Sequence, residues 1–263
     1  MSDHIAQLPM YDWPEVRAAT DALWAEIHTA LQKRGIASPD TLDREEATET
    51  AWLSPRLLLS QTCGLPLVQD LRDQVAVLGR FTYQDLSATG DYHSVIVVRR
   101  SESIDDPEAL RGHRAATNHE DSYSGCLALK RWAGRLDAEN AFFTSVIATG
   151  SHRDSVCAVA NGLADTAAID YVSWCLAKRV EPTTQTLKVV ARTDDRPGLP
   201  LITRTGHDTK TIASFRSALD EAVTTLDPAS RSALGLTGFV PAHVHDYDVI
   251  DDDLQQFGTT TLC

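Results

Sequence analysis

Small polar residues recur where a strand is predicted to end and a helix to begin. The clearest case is Asp121-Ser122-Tyr123-Ser124-Gly125, which lies between a predicted strand and an apolar helix. Hydroxyls and free backbone N–H groups at a helix start can donate hydrogen bonds to an anion, and glycine lets the backbone approach it closely. The same residue types also serve as ordinary helix caps, so a single turn of this kind does not by itself indicate a binding site.

Three further turns share this composition. They are Ser60-Gln61-Thr62-Cys63-Gly64 after the run LLL, Thr149-Gly150-Ser151-His152-Arg153 between a strand and a helix, and Ile169-Asp170-Tyr171 at the end of a β-branched strand. In open α/β sheets, ligands bind at the carboxyl ends of strands, where such turns lie. Four comparable turns in two halves of the chain therefore favour a binding site over capping alone.

Two larger side chains add to these turns. An unperturbed histidine titrates near neutrality, so His152 could contact an oxyanion in either protonation state, although a surface histidine at a helix start is the alternative. Tyr11, with Trp13, follows the first predicted strand and could form the wall of a cleft, or it could instead be a hydrophobic staple of the first helix. The predicted ligand-binding residues are Tyr11, Ser60, Gln61, Thr62, Ser122, Tyr123, Ser124, Gly125, Thr149, Ser151, His152 and Asp170.

Signals for catalysis and for metal binding are weaker. His243, His245, Asp246 and Asp248 lie in PAHVHDYD and could ligate a metal, but such clusters are more often solvated loop. Cys63 at a predicted helix start could be an activated thiolate, although a small buried cysteine is the more ordinary interpretation. The chain contains no G-x-S-x-G, Walker, G-x-G-x-x-G or H-E-x-x-H motif. We therefore predict no catalytic residue, no metal and no cofactor, and the sequence favours binding over catalysis.

Composition limits the partners. The formal net charge is −13, from 37 acidic and 24 basic side chains, and a broadly acidic surface repels nucleic acid. No apolar run is long enough to insert into a membrane. The five cysteines are scattered and include no C-x-x-C, which is typical of reduced thiols. The start MSDHIAQLPMYDWPEV shows no export signal, so we predict a cytoplasmic protein as encoded, or a periplasmic one if a signal was removed.

Strand and helix signals alternate from end to end. This alternation predicts mostly parallel sheets with helices on both faces, as in an α/β protein. Pro14–Arg34 is predicted to be a helix with proline in its first turn and Gly35 at its end. Polar turns in VIVVRRSESIDDPEAL and VVARTDDRPGLPLIT resemble crossings between two lobes. They predict a discontinuous lobe of residues 1–99 and 194–263 and an inserted lobe of residues 100–193; one large doubly wound domain is the alternative.

Several of these segments resemble a known family. The DSYSG turn, the run TGSHRDSVCAVANGLADTAAIDYVSW and the later GLPLIT are similar to the phosphate/phosphite/phosphonate-binding branch of type II periplasmic solute-binding proteins. The resemblance is most specific over residues 110–203. It implies a type II periplasmic-binding-protein-like fold, with two α/β lobes and a ligand cleft between them. It also implies that Ser122–Gly125 hold the anion, and that His152 and Asp170 match a cleft histidine and a cleft carboxylate, the latter suited to an amine on the ligand.

The resemblance implies a solute-binding protein for a phosphate- or phosphonate-like anion, acting with an ABC transporter permease or as a cytosolic sensor. A cytosolic enzyme of cofactor or metabolite biosynthesis on the same fold and a regulatory domain remain alternatives. The chain departs from the family pattern in lacking a visible export signal. It also departs at Tyr123, which stands where a small hydroxyl residue is common and would shrink the pocket or add a stacking face.

Overall fold

The computed structural model describes residues 3–137 and 140–263. The chain divides into two compact units, one comprising residues up to Asp91 with Pro197–Asp248, and the other comprising Tyr92–Arg196 with Val249–Cys263. Among the described residues, no helix combines the length and the apolar character needed to cross a bilayer.

The strands of the described residues are numbered in chain order. They are β1 (Ile5–Ala6), β2 (Leu57–Gln61), β3 (Val75–Tyr83), β4 (Asp91–Tyr92), β5 (Ser94–Arg99), β6 (Arg114–Thr117), β7 (Ser145–Ala148), β8 (Thr166–Asp170), β9 (Leu187–Arg192), β10 (Arg196–Pro197), β11 (Pro200–Arg204) and β12 (Leu236–Pro241).

The α-helices follow the same convention. They are α1 (Arg17–Lys33), α2 (Thr48–Trp52), α3 (Gly64–Pro66), α4 (Ala128–Leu136), α5 (His152–Ala160), α6 (Tyr171–Val180), α7 (Thr209–Thr225), α8 (Pro228–Leu234) and α9 (Asp248–Phe257). Two π-helical turns, Leu67–Leu71 and Tyr123–Leu127, follow α3 and precede α4. Shorter 3₁₀ turns cover Pro107–Leu110, Pro182–Thr186 and Val244–Tyr247.

Each unit is built on one mixed five-stranded sheet, in the order β1-β2-β11-β3-β12 for the first and β7-β6-β8-β5-β9 for the second. In the first sheet β1, β2 and β3 run in one direction, and β11 and β12 run in the other. In the second sheet β6, β7, β8 and β9 run together, and β5 runs against them.

The expectation of mostly parallel sheets is corrected by these directions. Strands joined by helices within one unit do run the same way, as helical crossovers require. However, β5 and β11 are the first long strands after the chain enters a unit from the other one, so no crossover helix sets their direction. Both are inserted in reverse between strands of the opposite sense. Together with the antiparallel pair β3–β12, they make antiparallel pairs outnumber parallel ones in these two sheets of the described residues.

The unit boundaries also differ from the predicted ones. Strand β5, which the sequence placed in the first lobe, lies inside the second sheet, where Val95–Val98 are buried between β8 and β9. The last segment, Val249–Cys263, belongs to the second unit instead of the first. Leu262 packs into the core cluster of that unit with Phe142 and Phe143, and the Phe143 N–H donates to the Leu262 carbonyl at 2.7 Å.

The predicted first helix is slightly shorter than expected. It runs over Arg17–Lys33, and Leu23, Trp24, Ile27 and Leu31 form its buried face. Gly35 has a φ of 72°, and the Ile36 N–H donates back to the Leu31 carbonyl at 3.0 Å. This is a Schellman end of the kind that favours glycine, so the sequence signal for the helix end is confirmed.

Candidate functional site

The turn Ser122–Gly125 starts a helix in the second unit. Ser122 Oγ accepts the Gly125 N–H at 3.1 Å, and the N–H groups of Cys126 and Leu127 both donate to the Ser122 carbonyl. The first helical turn is therefore a widened π turn, which leads directly into α4. Such turns are frequent at functional sites. Ser122 is a helix cap in the structure, and its contact with a ligand stays a prediction.

The side chains of Ser124 and His152 contact each other although they belong to different helices. Ser124 Oγ lies 2.8 Å from His152 Nε2, although the two residues begin different helices. Part of His152 is accessible, but its Nδ1 is buried and has no hydrogen-bond partner in the protein. Burial lowers the pKa of His152 to about 4, so the ring is neutral near pH 7. A neutral imidazole offers one donor and one acceptor nitrogen.

Gly125 is packed closely against the side chains of Asn118 and His152. A Cβ atom at Gly125 would overlap the side-chain oxygen of Asn118 and would lie 3.1 Å from Cε1 of His152. Asn118 Oδ1 is buried and, like His152 Nδ1, has no hydrogen-bond partner in the protein. Buried polar atoms are almost always paired in folded proteins. Two unpaired ones beside the same glycine indicate a place where a ligand or water completes the hydrogen bonding.

These residues lie at one end of the second sheet. Asn118 follows β6, His152 follows β7 and Asp170 ends β8, so the carboxyl ends of three strands of the same direction supply them. Ser94, at the start of the reversed strand β5, pairs with Asp170, and its Oγ donates to the Ser124 carbonyl at 2.8 Å. This is the end of an α/β sheet at which ligands bind.

Three of the predicted ligand residues have local partners. Thr149 Oγ1 lies 2.6 Å from Ser155 Oγ and donates to the Thr117 carbonyl at 3.1 Å. Ser151 caps α5 by accepting the Asp154 N–H at 3.0 Å, and Asp170, 2% exposed, caps α6 through the Ser173 N–H at 2.8 Å. They shape the helix starts around the site, and their direct contact with a ligand stays a prediction.

Tyr123 does not have the orientation expected of it. The residue is only 3% exposed, and its hydroxyl donates to Asp253 Oδ2 at 2.7 Å. The ring therefore points into the interior of the second unit instead of offering a stacking face. The expectation that its side chain narrows the pocket is corrected, because the sequence could not show that Asp253 lies within reach.

The predicted residues of the first unit lie at the carboxyl ends of β1 and β2. Ser60, Gln61 and Thr62 are fully or almost fully buried, and the Thr62 N–H donates to the Pro200 carbonyl at 3.1 Å. Tyr11 packs edge-on against Tyr83, with 5.4 Å between ring centroids. The turn after Thr62 again leads into a π-helical turn, as in the second unit.

His93 is a site candidate that the sequence analysis missed. It precedes Ser94, its Nδ1 lies 3.2 Å from Asp195 Oδ1, and its ring centroid is 4.9 Å from that of Tyr171. The pKa of His93 is lowered, with burial as the largest cause, although Asp195 acts to raise it. The apolar run that follows His93 gave no sign of chemistry, because only the fold brings this histidine to the end of the sheet that carries Asp170.

The candidate metal residues take structural roles. His243 and Asp246 form a capping box, with the His243 N–H donating to Asp246 Oδ2 at 2.8 Å, and His245 Nδ1 lies 3.3 Å from Asp248 Oδ2. Within residues 3–137 and 140–263, no group of three or more potential ligands is close enough to hold a metal ion. Cys63 occupies the N-cap position of α3.

The fold, two α/β units with polar turns at the carboxyl ends of their strands, is that of the periplasmic-binding-protein class of solute-binding proteins. Residues 5–247 match the family model described as "ABC transporter, phosphonate, periplasmic substrate-binding protein". The chain belongs to this family, which confirms the resemblance and the fold class inferred from the sequence. The match also favours the solute-binding function over the enzymatic alternative. No curated relative matches the chain at a significant level.

Solved structures share the fold over nearly the whole chain. XAC2383 from Xanthomonas citri bound to ATP is 20% identical, with a TM-score of 0.72, covering 98% of this chain and 99% of its own. PhnD1 from Prochlorococcus marinus in complex with methylphosphonate is 17% identical, with a TM-score of 0.73 and coverages of 98% and 99%. A binding protein component of an ABC phosphonate transporter from Pseudomonas aeruginosa is 14% identical, with a TM-score of 0.78 and coverages of 99% and 88%.

Proposed function

We propose that the chain binds a small phosphonate- or phosphate-like anion at the Ser122–Gly125 turn of its second unit. The observation that carries this proposal is the packing around Gly125. Ser124 and His152 meet there, and the buried atoms Asn118 Oδ1 and His152 Nδ1 lack partners within the protein. A bound ligand would supply the missing hydrogen bonds, whose absence is costly for buried groups.

The turn suits an anion without relying on a lysine or arginine. Free N–H groups at the start of a helix carry partial positive charge, and here the helix runs from Tyr123 to Leu136 through the π turn and α4. Ser124 is a neutral donor, and His152 stays neutral near pH 7 because its pKa is about 4. Asn118 Oδ1 is an acceptor, which suits a ligand carrying a protonated oxygen or an amine.

The ligand class follows from chemistry that related proteins share. Methylphosphonate and ATP, bound by two proteins of the same fold, both present terminal oxygens on phosphorus. We propose that this group is what the turn recognises. The residues Tyr11, Ser60, Gln61 and Thr62 of the first unit stay predicted ligand contacts, to be tested by the affinity of a Thr62→Val variant.

Calorimetric titration with methylphosphonate, inorganic phosphate, ATP and sulfate tests the proposal. Ser124→Ala is expected to weaken binding of the best ligand by about 10- to 150-fold, because a hydrogen bond to a charged group contributes about 1.5–3 kcal/mol. Ser145→Ala, at an exposed position of β7 in the same unit, is the matched control and should leave the affinity unchanged. Unchanged affinity in both Ser122→Ala and Ser124→Ala would mean that the turn is only a helix cap.

The family description points to a periplasmic protein that serves an ABC transporter. We propose an ABC permease as the partner that receives the ligand, and pull-down with permease in detergent, with and without ligand, tests it. The cytoplasmic location inferred from the sequence stays a prediction, and fractionation of cells expressing the natural gene would decide it. Recovery from the periplasm would make the sensor alternative untenable.

A further inference from the structure

Asp253 lies at the centre of a buried polar cluster in the second unit. The residue is 4% exposed and belongs to α9, in the segment that the sequence had assigned to the other lobe. Arg196 binds both of its oxygens, with Nε to Oδ2 at 2.7 Å and Nη2 to Oδ1 at 2.9 Å. Arg131 Nε forms an ion pair with Oδ1 at 2.8 Å. A carboxylate that accepts two hydrogen bonds from one guanidinium and pairs with a second arginine has a fixed orientation.

Positive charges outnumber negative ones in the cluster around Asp253. Arg131 also pairs with Asp194, and Arg135 Nη1 lies 2.6 Å from the same Asp194 carboxylate. The cluster therefore contains three arginines and two aspartates, so the buried carboxylate is surrounded by excess positive charge. A buried charge without such partners would be strongly destabilising.

The Tyr123 hydroxyl connects this cluster to the candidate anion turn, Ser122–Gly125. Tyr123 donates to Asp253 Oδ2 at 2.7 Å, and it lies between Ser122 and Ser124 in the chain. Burial and the neighbouring carboxylate raise the pKa of Tyr123 far above its usual value, so the phenol keeps its proton and remains a donor. The Tyr123 ring is buried, and its hydroxyl is held by Asp253. The side chain therefore restrains the backbone of the turn.

We propose that Asp253 is a positioning residue for the anion turn, acting through the Tyr123 hydroxyl. The inference rests on the proposed function, because it assumes that the Ser122–Gly125 turn holds the ligand. Donors fixed in a productive geometry lose less entropy on binding than mobile ones. A carboxylate at the far end of the sequence therefore sets the affinity of a turn that it does not itself line.

Tyr123→Phe is the first test, since it keeps the ring and removes only the hydroxyl. With methylphosphonate or inorganic phosphate as probe, we expect the dissociation constant to rise about three- to tenfold. Tyr247→Phe is the matched control: Tyr247 is also fully buried, and its hydroxyl donates to the Gly198 carbonyl at 2.8 Å in the first unit. It should lower thermal stability to a comparable degree and leave the affinity unchanged.

Asp253→Asn is the second test, and it is read out by double-mutant cycle and by amide hydrogen exchange. Its affinity loss should be less than additive with that of Tyr123→Phe, because both changes act on the same contact between Tyr123 and residue 253. In the unliganded Asp253→Asn protein, the amides of Ser124 and Gly125 should exchange faster, while those in the first turn of α5 should not. This exchange measurement remains informative if one of the variants binds too weakly to titrate.

The outcomes separate the two proposals. If Ser124→Ala weakens binding but Tyr123→Phe does not, the positioning role is refuted and the site survives. If Tyr123→Phe and Tyr247→Phe weaken binding equally, the effect is general destabilisation, and the positioning role is again refuted. If neither Ser122→Ala nor Ser124→Ala changes the affinity, the proposed site fails, and the inference about Asp253 fails with it.

Discussion

His152 should make the stability of the protein depend on pH in a defined window. Its pKa is lowered to about 4 in the folded chain by burial, whereas an exposed histidine has a value near 6.5. As the pH falls below about 6.5, the unfolded chain takes up a proton that the folded chain does not. Stability is therefore lost progressively from about pH 6.5 down to about pH 4, and below that both states are protonated.

The size of the effect follows from the shift in pKa. Each pKa unit corresponds to about 1.4 kcal/mol, so a shift of this size amounts to about 3 kcal/mol at most. His93 and His207 also have lowered pKa values, since burial is the main cause in each, and they contribute in the same direction. The contribution of His152 to the pH dependence of stability must therefore be measured as the difference between the wild type and a variant that lacks this histidine.

Urea unfolding of the wild type and of His152→Gln at several pH values between 4 and 7.5 provides this difference. We expect the stability of the wild type relative to the variant to grow with pH across the window and to level off above about pH 6.5. Ser145→Ala removes no titrating group, so its offset from the wild type should be constant with pH. A constant offset for His152→Gln as well would refute the assignment of a buried, neutral imidazole beside Ser124.

The remaining predictions concern packing. Gly125→Ala should lower both stability, by about 1–3 kcal/mol, and ligand affinity, because the new methyl group overlaps the Asn118 side chain; thermal melts and calorimetry measure the two effects, and a neutral result would contradict the packing at this turn. Leu262→Ala should cost about 2–5 kcal/mol in urea unfolding, since Leu262 lies in the core of the second unit, and wild-type stability would show that the C-terminal segment is dispensable.

Features set by local hydrogen bonding could be predicted from the sequence. Gly35 ends α1 as expected, and Ser122, Ser151 and Asp170 each cap the helix that follows them. These caps could be predicted because the partner of each lies only three positions further along the chain. The same turns were identified as candidate binding turns by their composition, and that interpretation stays a prediction.

Features set by distant parts of the chain could not be predicted. The polar segment after β5 looked like a crossing, yet the chain enters the second unit before β5, at Tyr92. The contact of Ser124 with His152 and the contact of Tyr123 with Asp253 both depend on elements that meet only in three dimensions. Helical periodicity likewise shows which face of α9 is apolar, but it does not show which unit that face covers.

The discontinuous assembly of the second unit limits how it can be isolated. Tyr92–Arg196 and Val249–Cys263 are separated in the chain by a long segment of the first unit, so the polypeptide passes between the units three times. A fragment covering only residues 92–196 would leave Arg131 and Arg196 without Asp253 and would open the core beside Phe143. An autonomous second unit would need residues 249–263 rejoined through a linker, or a circular permutation that brings the two segments next to each other in sequence.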